Sequence, residues 1–282
     1  MTAGLPGRTV LVLSGGGAKA MAHLGAVAVL AKAGVTPSHI VATSMGAVLG
    51  AGIASGLSSD ELRNRTAGIT RRDVAVPLRL AAVRGLLLPS LLRSQPLERT
   101  IAALVPARRF DQLRIPLTVT AVERETGAVV RFGAGGRDAP LLDVLYAACA
   151  LPVMYPPGRI GGREYVDGGL RSPLPLAQAA ELGADLVIAV DAGPGFEEAG
   201  EATPPRTRLP PLVEAHNDAV GTMMAALAAE QLARWRLEPG RPPLLYVRPR
   251  VERHATFRVD RLAEYFAEGE RAMTEALANW RT

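Results

Sequence analysis

The chain opens with two short strand patterns, each of which runs through small residues directly into a helix pattern. Residues 9–13 read TVLVL, which is typical of a buried strand, and a glycine triplet and a helix pattern over residues 18–33 follow. Residues 40–43 and 45–55 repeat the same order of strand and helix. Because this order favours parallel strands covered by helices, the sequence predicts an α/β fold.

The rest of the chain continues the alternation. Strand patterns cover residues 116–121, 128–132, 164–166, 186–190 and 244–247, and helix patterns cover residues 141–150, 174–182, 213–235 and 260–280. Residues 40–59 carry no charge over about the length of a membrane span, but their small and hydroxylated members favour a buried strand followed by a tightly packed helix. We predict one domain over residues 1–282, with a motif-bearing core at about 9–192 that residues 193–282 complete.

Composition narrows the classes of function. The net charge is +5, and all but two of the 32 lysine and arginine residues are arginine, which favours contact with anionic surfaces such as lipid headgroups. The arginines are scattered among few aromatic residues, so no nucleic-acid-binding tract is visible. The single cysteine, Cys149, excludes an intramolecular disulfide, and with four scattered histidines it gives no metal-ligand spacing. Without a signal-like segment at the start, we expect a cytoplasmic protein that needs no metal or cofactor, and peripheral contact with an anionic membrane stays open.

The loop after the first strand has the composition of an anion-binding site. Residues 14–20 read SGGGAKA, and Gly15, Gly16 and Gly17 allow backbone amides to face an anion at a helix N-terminus. A P-loop is excluded because Lys19 is followed by alanine and the glycines are wrongly spaced. A dinucleotide site is excluded because no acid follows the next strand, about twenty residues later. An oxyanion hole is the use that remains.

A serine occupies the second strand-to-helix turn. Residues 42–46 read ATSMG, and Ser44 on such a turn is exposed to substrate while the small neighbours Ala42 and Gly46 avoid a collision at the bend. Adjacent parallel strands end side by side, so we expect Ser44 and the glycine loop to share one crevice.

An aspartate after a later strand offers a base for that serine. Asp167 is followed by Gly168 and Gly169, which alone would indicate only a turn. A serine nucleophile needs a base within hydrogen-bond reach, and a carboxylate in a dry, fixed site can serve.

The three motifs together resemble a known family. SGGGAKA at 14–20, ATSMG at 42–46 and DGG at 167–169 look like the three motifs of the patatin-like phospholipases. Residues 147–157 also resemble the segment that precedes the aspartate in bacterial members, and the likeness extends over about residues 9–191. The resemblance implies a three-layer α/β/α fold with a mostly parallel central sheet, and a Ser–Asp dyad that works without histidine.

Carried onto this chain, the resemblance implies that Ser44 is the nucleophile and Asp167 the general base of a lipid acyl hydrolase acting on fatty-acyl esters. The residues implied for the oxyanion hole are Gly15, Gly16, Gly17 and Lys19, with the second and third glycine amides as donors. Two positions depart from the family pattern: alanine stands at position 20 and at position 42, where glycine is usual. Neither departure touches the dyad, and their effect on the rate stays open.

Several alternatives remain at this point. A Ser–His–Asp hydrolase would need His216 or His254. Asp191, at the end of a strand pattern, is the second candidate for the base, although the sequence favours a role in anchoring a loop for it. Two other functions remain open. One is a lipid-binding or regulatory protein with little turnover, and the other is an acyl thioesterase or transacylase. The leucine-rich segment 74–92 is consistent with a lid, a membrane-docking face or a core helix. Acyl chain, headgroup and oligomeric state are not determined by the sequence.

Overall fold

The computed structural model describes residues 7–78, 90–195, 211–252 and 256–280. Its strands are β1 (Thr9–Leu13), β2 (His39–Thr43), β3 (Leu117–Glu123), β4 (Val129–Gly133), β5 (Gly158–Ile160), β6 (Arg163–Asp167), β7 (Leu186–Val190) and β8 (Leu244–Val247). Its α-helices are α1 (Met21–Lys32), α2 (Ser44–Ala54), α3 (Ser59–Thr66), α4 (Arg71–Val74), α5 (Ser94–Leu104), α6 (Leu141–Cys149), α7 (Leu176–Ala180), α8 (Pro211–Leu237) and α9 (Leu262–Asn279).

The strands form one mixed sheet in the order β5-β6-β3-β2-β1-β7-β8, and β4 pairs with β3. Strands β3, β2, β1, β7 and β8 run parallel to one another. Strands β4 and β6 run antiparallel to β3, and β5 runs antiparallel to β6. The predicted α/β fold with a mostly parallel central sheet is confirmed.

Helices cover both faces of this sheet because the buried strands are apolar on both sides. Leu11 and Leu13 of β1 belong to a core cluster that includes side chains of α1, α2, α3, α5, α6 and α9. Val10 and Val12, which alternate with them, belong to a second cluster with side chains of α7 and α8. The result is the three-layer α/β/α arrangement that the family resemblance implies.

Strands β2 and β6 both pair with the same edge of β3. Strand β2 pairs with the first part of β3, and β6 pairs with the last part. Thr43, the last residue of β2, pairs with Thr120, and Asp167, the last residue of β6, pairs with the next residue, Ala121. Strand β4 pairs with β3 across both of these positions and therefore occupies the opposite edge. Because β2 and β6 end opposite adjacent residues of β3, Asp167 and the residue that follows Thr43 lie at neighbouring places along this strand.

Three elements differ from the sequence patterns. The helix predicted over 18–33 is divided into a 3-10 turn at Gly17–Ala20 and helix α1, because the glycine loop continues into the first turn. Helix α5 was not predicted, although Leu97, Ile101 and Leu104 recur at helical spacing, and the short strand β5 was also missed.

Some sequence interpretations fall outside the described residues. These are the centre of the leucine-rich segment, at 79–89, and the candidate histidine at position 254. No helix in the described part of the chain is both long enough and apolar enough to cross a bilayer.

The C-terminal elements are built into the same sheet and core as the motifs. Strand β8 pairs in parallel with β7. Helix α9 packs closely on α1: a side-chain carbon added at Gly25 would lie 2.0 Å from the carbonyl oxygen of Phe266, and one at Gly269 would lie 2.0 Å from that of Ala22. We therefore propose that the chain forms one domain, as the sequence predicts.

Candidate active site

Ser44 lies in a strained turn between β2 and α2. Its φ of 51° falls in the left-handed region, which residues other than glycine rarely adopt. The first turn of α2 packs closely against the end of β1, because a side-chain carbon at Gly46 would lie only 2.2 Å from the carbonyl oxygen of Ser14. This geometry lifts the hydroxyl of Ser44 out of the helix axis and towards the carboxyl ends of the strands.

The Ser44 hydroxyl meets the carboxylate of Asp167. Ser44 Oγ donates to Asp167 Oδ2 over 2.7 Å, and the backbone N–H of Gly169 donates to Asp167 Oδ1 over 2.8 Å. Gly168 is needed between them, since a side-chain carbon there would lie 2.2 Å from the carbonyl oxygen of Thr120. Both oxygens of the carboxylate are therefore oriented.

The surroundings of Asp167 make it a stronger base than an exposed aspartate. Its side chain is 4% exposed. Burial raises the pKa of Asp167 to about 6, against the smaller lowering effects of the bonds from Ser44 and Gly169. A carboxylate with this pKa is ionised at neutral pH and accepts a proton more readily than an ordinary aspartate does.

The glycine loop lies directly against Ser44. A side-chain carbon at Gly15 would lie 3.2 Å from Ser44 Cβ. The N–H of Gly15, however, donates to the carbonyl of Pro173 over 3.3 Å, so it is not a candidate oxyanion donor. The N–H groups of Gly16 and Gly17 have no acceptor among the described residues, which leaves them as the candidate donors.

The structure also locates Lys19 and the two alanines that depart from the family pattern. Lys19 is buried beside the loop, and of the residues proposed for the oxyanion hole only Gly17 is among those described as lining the cleft over Ser44. Ala20 and Ala42 are both fully buried without a positive φ, and their methyl groups therefore fit without backbone strain.

An apolar cleft opens over Ser44 and Asp167. Its volume, including the part that is open to solvent, is about 800 Å³. The apolar residues of its wall include Met21, Leu49, Leu97, Leu104, Leu151, Phe257 and Leu262. No lysine or arginine is among the described residues that line it. Such a wall suits a hydrocarbon chain.

Cys149 lies in the wall of this cleft, and it is buried as its apolar sequence context predicts. Burial, followed by the charge of Asp167, raises the pKa of the Cys149 thiol well above its ordinary value. The thiol therefore stays protonated and contributes an apolar surface beside the dyad.

No described histidine contacts the dyad. His23 bonds to the Ser14 carbonyl oxygen, and His39 bonds to Thr118 Oγ1. His216 lies on α8 away from the cleft lining, and residue 254 lies outside the described residues. Within the described part of the chain, no group of three histidine, cysteine, aspartate or glutamate side chains is placed to hold a metal ion.

Asp191, the second candidate for the base, is occupied elsewhere. Its carboxylate forms an ion pair with Arg248 at 3.2 Å and accepts hydrogen bonds from Tyr246 and from the N–H of Gly193. It holds the loop after β7, the role that the sequence favoured for it.

Fold and site together define a class: an α/β protein in which a serine at a strand-to-helix turn is bonded to a buried aspartate beside a glycine-rich loop. The sequence profile of the patatin-like phospholipase family matches residues 11–180, and the chain belongs to this family.

Several relatives agree with this assignment. An uncharacterized NTE family protein of Mycobacterium tuberculosis is 34% identical over 192 residues, which cover 66% of this chain and 51% of that protein. The human patatin-like phospholipase domain-containing protein 6 is 29% identical over 67% of this chain and 14% of its own length. Lysophospholipase NTE1 of Meyerozyma guilliermondii is 23% identical over 96% of this chain and 19% of its own length. The chain thus spans about half the length of the first relative and less of the others.

Among solved structures, VipD from Legionella pneumophila superposes with a TM-score of 0.51 at 16% identity, covering 97% of this chain and 67% of that one. At this level of identity the likeness supports the fold alone.

Proposed function

We propose that the protein is a serine acyl-hydrolase that cleaves fatty-acyl esters of lysophospholipids, phospholipids or related lipids. The observation that carries the proposal is the 2.7 Å bond from Ser44 to Asp167 at the floor of an apolar cleft. The turn at Ser44 and the raised pKa of Asp167 are features that a two-residue mechanism requires.

In the first half of the reaction, Ser44 Oγ attacks the ester carbonyl carbon while Asp167 Oδ2 accepts the serine proton. The carbonyl oxygen becomes an oxyanion, which the N–H groups of Gly16 and Gly17 would stabilise. In other enzymes each such donor is worth about 3–4 kcal/mol. Collapse of the tetrahedral intermediate transfers the Asp167 proton to the leaving alcohol and leaves an acyl-Ser44 ester.

In the second half, Asp167 removes a proton from a water molecule that attacks the acyl-enzyme. The fatty acid leaves, and the proton returns to Ser44 Oγ. Both halves of the reaction use Ser44, Asp167 and the loop amides, together with one water molecule.

The cleft supports a hydrocarbon acyl chain as the part of the substrate that is bound. Because the lining residues carry no cationic side chain, we place the headgroup outside the cleft. The net charge of +5 favours approach to anionic lipid surfaces, and we propose a cytoplasmic enzyme that contacts such surfaces peripherally.

The test is release of fatty acid from a panel of lysophosphatidylcholine, diacyl phospholipid, triacylglycerol and acyl thioester with the same acyl chain. We expect turnover of at least one oxygen ester by the wild-type protein. Ser44→Ala and Asp167→Asn should both reduce kcat by at least about 1,000-fold, because residues that act as a unit lose similar amounts.

A fluorophosphonate probe separates an enzyme from a binding protein, since the wild-type chain should be labelled at Ser44 and Ser44→Ala should not. His216→Ala serves as the control and should keep wild-type turnover. Retained turnover in Asp167→Asn together with its loss in Asp191→Asn would move the base to Asp191 and contradict the proposal.

A further inference from the structure

Three successive carbonyl groups of the glycine loop are held by donors that lie outside the cleft. The carbonyl of Ser14 accepts from His23 Nε2 over 2.9 Å. The carbonyl of Gly15 accepts from Ser14 Oγ over 2.8 Å, and that of Gly16 accepts from the N–H of Lys19 over 3.2 Å. Each of these three peptide groups is therefore held in its orientation by a hydrogen bond from a donor outside the cleft.

Fixing a carbonyl also fixes the amide of the same peptide group. In a trans peptide the C=O and the following N–H point in opposite directions, and the described chain has no cis peptide bonds. The Gly15 carbonyl bond therefore sets the direction of the Gly16 N–H, and the Gly16 carbonyl bond sets that of the Gly17 N–H. These two amides are the ones without an acceptor among the described residues.

The hydroxyl of Ser14 has only one arrangement that satisfies its neighbours. Its Oγ accepts the N–H of Ala192 over 2.8 Å, so its own proton is directed to the Gly15 carbonyl. Ala192 is itself held in the loop that the Asp191–Arg248 ion pair anchors. Ser14 is fully buried, and solvent offers it no competing partner.

The ring of His23 acts as a permanent donor. A carbonyl oxygen only accepts, so Nε2 must carry the proton, and Nδ1 has no partner among the described residues. Burial lowers the pKa of His23 to about 4, outweighing the opposite effects of the Ser14 carbonyl and of the Asp191 charge. The ring is therefore neutral at neutral pH, with a single tautomer.

We propose that Ser14 and His23 are positioning residues that aim the Gly16 amide at the oxyanion formed on Ser44 attack. Ser14 holds the peptide group that contains this amide, and His23 holds the peptide group before it. Neither side chain touches the substrate. The inference rests on the proposed hydrolase activity and adds to it the origin of the loop's orientation.

The test compares two buried histidines that make the same kind of bond. His23→Leu removes the donor to the loop. His39→Leu removes the 2.8 Å bond between His39, at the start of β2 and far from Ser44, and Thr118 Oγ1. Both variants should lose stability. Only His23→Leu, and likewise Ser14→Ala, should lower kcat per folded molecule, by about 10- to 100-fold and thus less than the loss of a whole donor, with KM changed by less than about twofold.

His23→Gln provides the rescue, because its side-chain amide nitrogen reaches about the position of Nε2 and donates likewise. It should recover most of the kcat that His23→Leu loses. Equal kcat in His23→Leu and His39→Leu, at equal folded fractions from thermal unfolding, would overturn the inference, as would failure of His23→Gln to recover any activity.

A second measurement does not depend on turnover. The ring ¹⁵N shifts of labelled His23 in the wild-type protein should show the neutral form protonated at Nε2 from pH 5 to pH 8. A ring protonated at Nδ1, or charged at pH 7, would contradict the arrangement directly. Absence of ester hydrolysis by the wild-type protein, with the expected tautomer present, would instead count against the proposed function.

Discussion

The burial of the Asp167 carboxylate affects both the stability of the protein and its proposed chemistry. Asp167 is almost fully buried and has no cationic partner among its described contacts, so its negative charge is held only by the hydroxyl of Ser44 and the N–H of Gly169. Burial destabilises the charged form of the carboxyl group, and this raises the pKa of Asp167 to about 6. The same property makes the carboxylate a better base.

Asp167→Asn should therefore make the folded protein more stable at neutral pH. The wild-type folded state binds the Asp167 proton more tightly than the unfolded state, whose pKa lies near 3.8, so its stability falls as the pH rises from about 4 to about 6 and then levels off. The amide avoids this loss, which gives the variant an advantage of about 1–3 kcal/mol at pH 8 that shrinks towards pH 4. Urea unfolding at both pH values measures the difference.

Asp73→Asn is the matched control with the opposite sign. Hydrogen bonds from Thr70 lower the pKa of this exposed carboxylate, so its contribution to stability is present at neutral pH and is lost in acid. The control should therefore be less stable than the wild type at pH 8 and approach it near pH 3. An Asp167→Asn variant that follows the same trend would refute the buried-charge interpretation.

Gly17→Ala should damage both stability and activity. Gly17 has a φ of 58°, and a side-chain carbon there would lie 2.4 Å from the carbonyl oxygen of Thr256, so the loop would have to move. We expect kcat to fall about 100-fold, as for the loss of one oxyanion donor. Gly34→Ala shares the positive φ, 76°, but has no atom within 4 Å of the added carbon. It should lose about 1 kcal/mol of stability and keep its kcat.

At the scale of elements, β3 and the contact between α1 and α9 organise the site. Strand β3 brings Thr43 and Asp167 to adjacent positions of one edge, which places the nucleophile beside its partner across 123 residues of sequence. Helix α1 follows the glycine loop directly and packs against α9 through facing glycines. The orientation of the loop therefore depends on a helix close to the end of the described chain.

Gly269→Ala should separate these two helices. The added carbon would lie 2.0 Å from the carbonyl oxygen of Ala22, and neither backbone can yield without losing buried contacts. We expect a loss of about 2–4 kcal/mol in the free energy of unfolding. Gly221→Ala, in helix α8 with no atom within 4 Å, should instead gain about 0.5–1 kcal/mol from helix propensity. Chemical denaturation distinguishes them by the sign of the change, and two changes of the same sign would contradict the packing argument.

At the scale of the whole molecule, the sheet connects the motif-bearing core to the C-terminal elements. Strand β8 extends the sheet beyond β7, and side chains of α8 share a core cluster with Val10 and Val12 of β1. A chain with one sheet and shared cores should unfold as one cooperative unit.

Both tryptophans, Trp235 and Trp280, belong to the C-terminal part, whereas the dyad belongs to the core. Tryptophan fluorescence and ester hydrolysis therefore report on different halves of the chain. We expect their urea-unfolding curves to coincide when activity is measured at each urea concentration after equilibration and corrected for inhibition by urea. A separate fluorescence transition that leaves activity intact would show two domains.

The sequence by itself determined the fold class and the positions of the three motifs, because strand and helix periodicity and the glycine spacing are local properties of the chain. It also indicated that Asp191 anchors a loop. Helix α5 had a readable signal in Leu97, Ile101 and Leu104, and it supplies part of the cleft wall.

Only the tertiary structure decided which groups meet. The adjacent register of Thr43 and Asp167 on β3 and the use of the Gly15 amide by Pro173 bring together residues that are remote in sequence. The bonds of Ser14 and His23 to the loop join residues at most nine positions apart, but their directions depend on how the loop folds. Hydrogen-bond direction and desolvation depend on where such groups are placed in space. For that reason a one-dimensional pattern identifies the dyad residues, whereas the geometry and the basicity of the pair arise from the fold.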